Sequence, residues 1–326
     1  MPLPATVPIT LIVCSLLFSA AGAELRLSDQ CRVQFATAEQ GIAAITADDR
    51  FTRNLSRFDL QARLRTSGDV TVAQWKKRVA AEVQAWDEQW RAKMTAAVEA
   101  VRQRLTKFAL PLPDEVFLVH TSGKEEGNAA YCRGKHIIIP DVVLSRDSSK
   151  IESLLIHELF HVISNQHPEL RADLYAIVGF QECPEIAIHP SLKERRITNP
   201  DAPVIDCVIK LKEGEKVVRA APILYSSTED FDPKKEGGMF AHLVFKLMLV
   251  VPEGRGWKAL DQGGRAVVLD PKGVPDFQEK IGRNTNYIVH PEEILADNFV
   301  HLVRGREKIP TPRIVEELQK VLERKR

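Results

Sequence analysis

Ile151-Glu152-Ser153-Leu154-Leu155-Ile156-His157-Glu158-Leu159-Phe160-His161-Val162-Ile163-Ser164-Asn165-Gln166-His167-Pro168 is the most informative segment of this 326-residue chain. Ile151, Leu154, Leu155, Leu159, Val162 and Ile163 recur at steps of three and four, which predicts an amphipathic helix over 150–165. His157 and His161 are four apart, so on that helix they stand on one face about one turn from each other. Both imidazoles can then reach one metal ion. Glu158 is one step along, placed to contact a water on that metal rather than the metal itself.

This pattern is the HExxH signature, and it resembles that of zinc-dependent peptidases. In those proteins zinc lowers the pKa of its water toward about 7, and the Glu accepts the proton as the water attacks a carbonyl. The five-residue pattern arises by chance in on the order of 1% of chains this size, so its setting carries weight. Here it sits in mid-helix after a β-rich segment. Two structural histidines around a solvated Glu are the alternative.

A catalytic zinc needs a third protein ligand and an open position. Two candidates compete. His167 has the spacing of the metzincin motif HExxHxxGxxH, but Ser164 stands where that motif has its turning Gly, leaving Asn165 to take the left-handed turn. Met239, after a Gly pair, is weak support as a Met-turn. Otherwise His167 simply ends the helix before Pro168. The second candidate lies in Tyr287-Ile-Val-His290-Pro291-Glu292-Glu293-Ile-Leu-Ala296-Asp297-Asn298-Phe299. Glu293 and Asp297 are four apart on a predicted helix, 291–304, opened by Pro291. This resembles the gluzincin pattern of thermolysin-like peptidases, in which a second helix supplies a Glu ligand and an acidic residue four later orients a ligand imidazole. Glu292 would put Ala296 at the orienting position, so Glu293 is favoured as the ligand, over Glu292 and over His167. The text from Pro291 to Phe299 is also similar to that of bacterial exported metallopeptidase-like proteins. The resemblance covers the two motif helices well and the N-terminal third poorly. The separation between His161 and Glu293 is longer than in thermolysin-like enzymes, which implies an insertion around 183–285. For the oxyanion donor, Tyr287 precedes Glu293 as a Tyr does in some gluzincins, and His290 is its rival. Tyr131 and Tyr225 have no positional support.

Outward from these helices, residues 24 to about 110 read as helical. Thr71 and Gln74 have capping-box spacing. The stripe Val72, Trp75, Val79, Val83, Trp86, Trp90, Met94, Val98, Val101, Leu105, Phe108 predicts one long helix, packed as core, ending at Leu110-Pro111-Leu112-Pro113. Val116–His120 and Ala130–Ile139 read as strands. The second is a candidate edge on which a peptide would pair. Strand-like runs at Val204–Leu211, Val217–Ile223 and Ala266–Leu269, with a helix near 239–250, fill the following stretch, and a charged helix runs from Arg313 to the end.

Composition sets outer bounds. Hydrophobic residues are 44% and charged residues 27%, ordinary for a globular chain. The net charge of +1 gives no basic stripe for nucleic acid or anionic lipid. The apolar run Ile9–Phe18 followed by Ala21-Gly22-Ala23 reads as a signal peptide over 1–23, although no Lys or Arg precedes it. The run is shorter than the roughly 20 residues of a spanning helix, so no stable membrane insertion follows. Cys14 falls within it. The remaining Cys31, Cys132, Cys183 and Cys207 suggest two disulfides with three connectivities, Cys183–Cys207 first.

The expected fold is α+β: a helical N-terminal region over 24–110, then a zincin-like core over 111–326, with a small sheet, the HExxH helix and a Glu-ligand helix. The resemblance implies one Zn2+ per chain held by His157, His161 and Glu293. It also implies Glu158 as base, Asp297 orienting a ligand, Tyr287 or His290 at the oxyanion, and a secreted or periplasmic peptidase acting on peptide or protein. The competing class is a non-enzymatic exported protein that keeps a metal site, or only its fold, to bind a cell-envelope partner. Hydrolysis of a non-protein amide is a third.

Overall fold

The computed structural model describes residues 24–324, so the expected signal segment lies outside the described residues. The architecture is α+β. One sheet holds β1 (Arg32–Phe35), β2 (Val83–Gln84), β3 (Glu115–Thr121), β4 (Tyr131–Arg133) and β5 (His136–Pro140), in the order β1-β3-β5-β4 with β2 beside β3. β1, β3 and β5 run parallel, and β4 is an antiparallel edge strand. A second sheet is antiparallel, in the order β10-β9-β8-β7-β6: β6 (Phe180–Glu182), β7 (Cys207–Glu213), β8 (Lys216–Ser226), β9 (Leu243–Glu253) and β10 (Gly256–Ala259).

The helices are α1 (Ala38–Ile45), α2 (Arg50–Arg53), α3 (Arg57–Leu64), α4 (Val72–Ala80), α5 (Glu88–Leu105), α6 (Asp141–Leu144), α7 (Ser148–Gln166), α8 (Arg171–Ile177), α9 (Pro190–Lys193), α10 (Pro275–Ile281), α11 (Pro291–Val303) and α12 (Pro312–Leu322). Among the described residues no helix is long and apolar enough to cross a membrane. The two motif helices form where the sequence predicts them. α7 buries Ile151, Leu155, Leu159, Val162 and Ile163, each contributing about 1.5–3 kcal/mol by leaving water. α5 and α11 both pack on α7, and α12 packs on α11 and α8. This stacking carries the first turn of α11 to the His157 face of α7.

Several expectations change. The region 24–110 is not helical throughout, because β1 and β2 join the first sheet. The expected helix over 72–108 is two helices. α4 carries the expected Thr71/Gln74 capping box and ends at Ala80. After β2, the Asp87 side chain caps the Trp90 N–H and starts α5, while Trp86 Nε1 donates to the Leu118 carbonyl. The apolar stripe continued across this break for a physical reason. Trp75 and Val79 pack with Val119 and Ile138 on one face of the sheet. Met94, Val98, Val101 and Leu105 pack with Leu118, Ile137 and Ile139 on the other.

Ala130–Ile139 is a hairpin rather than one strand, turning where Gly134 takes a φ of 61°. The expected helix near 239–250 is strand β9, preceded by a short 3-10 turn at Gly238–His242. An apolar run of that length does not by itself separate a buried strand from a helix, and here β8 and β10 flank it on both edges. Cys31, Cys132, Cys183 and Cys207 are free, and the expected Cys183–Cys207 bridge is absent. Cys207 pairs with Glu182 across β6 and β7, so Cys183, one residue on, points to the opposite face of the sheet. Cys207 lies in the main core and Cys183 against a separate cluster.

Candidate metal centre

His157 and His161 stand on one face of α7 with ring centroids 4.8 Å apart. Glu293, buried in the first turn of α11, meets them. Its Oε2 lies 3.2 Å from His157 Nε2 and 3.5 Å from His161 Nε2. The three ligand atoms lie within 4.8 Å of one another. His161 Nε2 is buried without a hydrogen-bond partner, a state that carries a desolvation cost unless something accepts its lone pair.

The outer nitrogens explain why the inner ones converge. His157 Nδ1 donates to Asp297 Oδ1 at 3.0 Å, and the Thr285 hydroxyl holds the other Asp297 oxygen. His161 Nδ1 donates to Glu292 Oε1 at 3.5 Å. Glu292 Oε2 accepts from the Ser164 hydroxyl at 3.0 Å and the Tyr175 phenol at 2.8 Å. A carboxylate on each Nδ1 fixes the tautomer that presents a bare Nε2 inward. Burial opposes a charge on His157, but Asp297 and then Glu293 outweigh it and raise the imidazole to about 10; the bare Nε2 belongs to the neutral ring, and a metal binding there displaces the second proton.

Two imidazole lone pairs and one carboxylate oxygen make a donor set that fits a zinc ion. Glu292, Glu293 and Asp297, each held against burial below the ordinary carboxylate range by its hydrogen bonds and the nearby imidazoles, face the two imidazoles, a charge balance that favours a divalent cation. Glu158 is buried, and Cys132 Sγ on β4 donates to its Oε2 and to its carbonyl oxygen, each at 3.3 Å. Burial pushes its carboxyl up, opposed by His157 and His161. Cys132, Glu158 and Asp201 bring their ligand atoms within 4.8 Å of one another. Burial likewise raises Asp201 well above the ordinary carboxylate range.

The remaining sequence candidates separate. Tyr287 is 46% exposed, with its ring stacked over His157 at 6.4 Å. Glu293, and then burial, raise its phenol, so it stays a hydrogen-bond donor beside the centre. His290 is the N-cap of α11: its Nδ1 accepts the Glu292 N–H at 3.2 Å, and its Nε2 faces Cys207 Sγ at 3.6 Å. Both nitrogens are engaged there. His167 caps the end of α7 with Nδ1 on Glu169, outside the cluster. Met239 packs with Phe58 and Phe231 in a satellite cluster, Tyr131 lies in the core behind β4 and β5, and Tyr225 packs in the second sheet.

Sequence reasoning missed Glu292 as the His161 partner, and with it Ser164, Tyr175, Cys132, Asn199 and Asp201. Glu292 had a signal: two adjacent acids on a helix are about 100° apart, so each can address a different neighbour. The others come from distant segments and had none. A cleft of about 460 Å³ opens beside His161 and Glu292, bounded by Cys132, Arg133, Tyr175 and Asp201.

Asp206, Cys207 and His290 also gather, all buried, with ligand atoms within 4.8 Å. They do not suit a metal. Because His290 Nδ1 accepts a backbone N–H, the neutral ring carries its proton on Nε2, the atom that would have to bind.

Comparison of the chain with protein-family models, with curated proteins and with solved structures finds no match.

Proposed function

We propose that the chain is an exported single-zinc hydrolase of peptide bonds, built on a zincin-like core. The observation that carries the reading is the convergence of His157, His161 and Glu293, with a separate carboxylate on the outer nitrogen of each imidazole. Glu158, next to the first ligand, has no part in holding a metal there and is left for proton transfer. Zinc, when bound, supplies a Lewis acid that polarises water and a substrate carbonyl. Glu158 takes the proton of the attacking water and returns it to the leaving amine. Its burial raises its basicity toward the range a general base needs. Tyr287, protonated and exposed beside His157, donates to the developing oxyanion. Asp297 and Glu292 keep the imidazoles in register. Asp201 takes the outward N–H of β4 at Cys132, so the substrate would lie in the cleft beside His161 that Cys132, Arg133 and Asp201 bound, rather than as an added strand on β4. The leading apolar segment supports export to the periplasm or the exterior.

The test is metal analysis of the purified chain together with hydrolysis of a peptide library. About one zinc per chain is expected, with cleavage that Glu158→Gln reduces by about 10²–10⁴-fold while zinc is retained. Full activity in Glu158→Gln would sink the mechanism. Zinc without cleavage of any peptide would favour a metal-bearing binding protein.

A further inference from the structure

We infer that Asn199 is a positioning residue for the metal centre, aiming Glu293 at the two imidazoles from a segment clamped by the N-terminal helices. The inference rests on the zinc reading above and adds a residue to it.

Glu293 has two oxygens, and only Oε2 faces the imidazoles. The other, Oε1, accepts the Asn199 side-chain N–H. A carboxylate held at one oxygen can present only the second, which is how an outer partner orients a ligand. Asn199 is itself held, because its Oδ1 accepts the Asp201 N–H at 3.0 Å. Asp201 Oδ1 in turn accepts the Cys132 N–H of β4 at 2.7 Å. The Asn199–Asp201 turn therefore spans from the ligand helix α11 to the edge strand.

The clamp lies just before it. The Thr198 N–H donates to both Asp59 oxygens at 3.1 and 3.2 Å, and its hydroxyl lies 2.7 Å from Asp59 Oδ2. The Thr198 carbonyl accepts from Arg63 at 3.1 Å. Arg63 is buried between Asp59 and Glu126, paired with both. The Ser56 hydroxyl donates to the Arg196 carbonyl at 2.6 Å, and the Phe58 N–H to the Glu194 carbonyl at 3.0 Å. So α3, far from the motif helices in sequence, sets the backbone from which Asn199 reaches Glu293. A buried ion network of this kind is satisfied in one geometry only, which suits a rigid arm rather than a moving lid.

The experiment measures zinc affinity of the full chain by chelator competition, with two further readouts: the absorption spectrum of the cobalt-substituted protein and the melting of the metal-free protein. Asn199→Ala removes the amide, and Asn199→Leu removes it while keeping the branched shape and the number of heavy atoms. Each is expected to weaken zinc by about ten- to a hundredfold and to change the cobalt spectrum, with metal-free melting as in the unmodified chain. Unchanged affinity in both variants, with zinc still lost in Glu293→Ala, would overturn the role of Asn199 and leave the centre standing. An affinity loss that only tracks a fall in metal-free melting, with an unchanged cobalt spectrum, would also overturn it. No zinc in the unmodified chain would instead remove the reading on which the inference rests.

Discussion

His157, His161 and Glu293 form one group of ligand-type residues, half-buried at His157 and buried at the other two, and Asp206, Cys207 and His290 form another, equally compact and buried throughout. They differ in the direction of one hydrogen bond at the imidazole. At the first, each Nδ1 donates to a carboxylate, which in the neutral ring leaves Nε2 as the lone pair. At the second, His290 Nδ1 accepts a backbone N–H at the start of α11, which puts the proton on Nε2. Residue type and proximity alone would score the two alike. What the histidine's outer nitrogen touches decides which can take a metal. A third buried cluster, Asp59–Arg63–Glu126, shows the other solution: a guanidinium set between two carboxylates and paired with both.

The sharpest way to break this comparison is paired substitution. Glu293→Ala should lower zinc affinity by more than the about hundredfold of an outer-partner loss. His290→Asn, which keeps a good helix cap, should leave about one zinc per chain. Zinc lost in His290→Asn and kept in Glu293→Ala would reverse the assignment, and metal analysis of the two proteins reads it directly. His167→Ala belongs with His290→Asn, since His167 lies outside the cluster. Asp297→Ala should cost less, about ten- to a hundredfold in affinity, because it removes only the group that orients His157. Affinity equal to that of the unmodified chain would mean the tautomer is held by something else.

The smallest effect concerns a buried carboxylate that has neither metal nor arginine. Burial raises Glu125 from 4.5 to about 7, against a hydrogen bond from the Thr121 hydroxyl. The folded state then holds a proton that the unfolded state releases. Stability from this group is complete below pH 4.5 and is lost as pH rises through about 7. The loss is at most on the order of 3 kcal/mol. Urea unfolding at pH 5 and pH 8 should show a flatter dependence in Glu125→Gln, and an equal slope in both proteins would refute the assignment.

Much of the site was legible because it is written locally. The four-residue spacing of His157 and His161, and of Glu293 and Asp297, survives any tertiary arrangement that keeps two helices. Glu292 was set aside as a ligand and proved to orient His161 instead, a role that depends on which face of α11 meets α7. The strand at 243–253 read as a helix because an apolar run carries no direction until its neighbours are known. The helix over 72–108 broke because its stripe serves both faces of one sheet. The disulfide failed on pleat alternation, since Cys183 and Cys207 point to opposite sides.

The amino-acid sequence by itself determined the two motif helices, the four-residue spacing of Glu293 and Asp297 and the α+β class, because helical periodicity and residue chemistry are local. Only the tertiary structure decided that Glu293 rather than His167 meets the imidazoles, that Glu292 backs His161 and that Asn199 backs Glu293. It also decided that His290 is a cap. Those outcomes depend on which atom of each side chain faces which neighbour, and that is set by helix packing and by a turn anchored on α3 more than a hundred residues earlier in the chain.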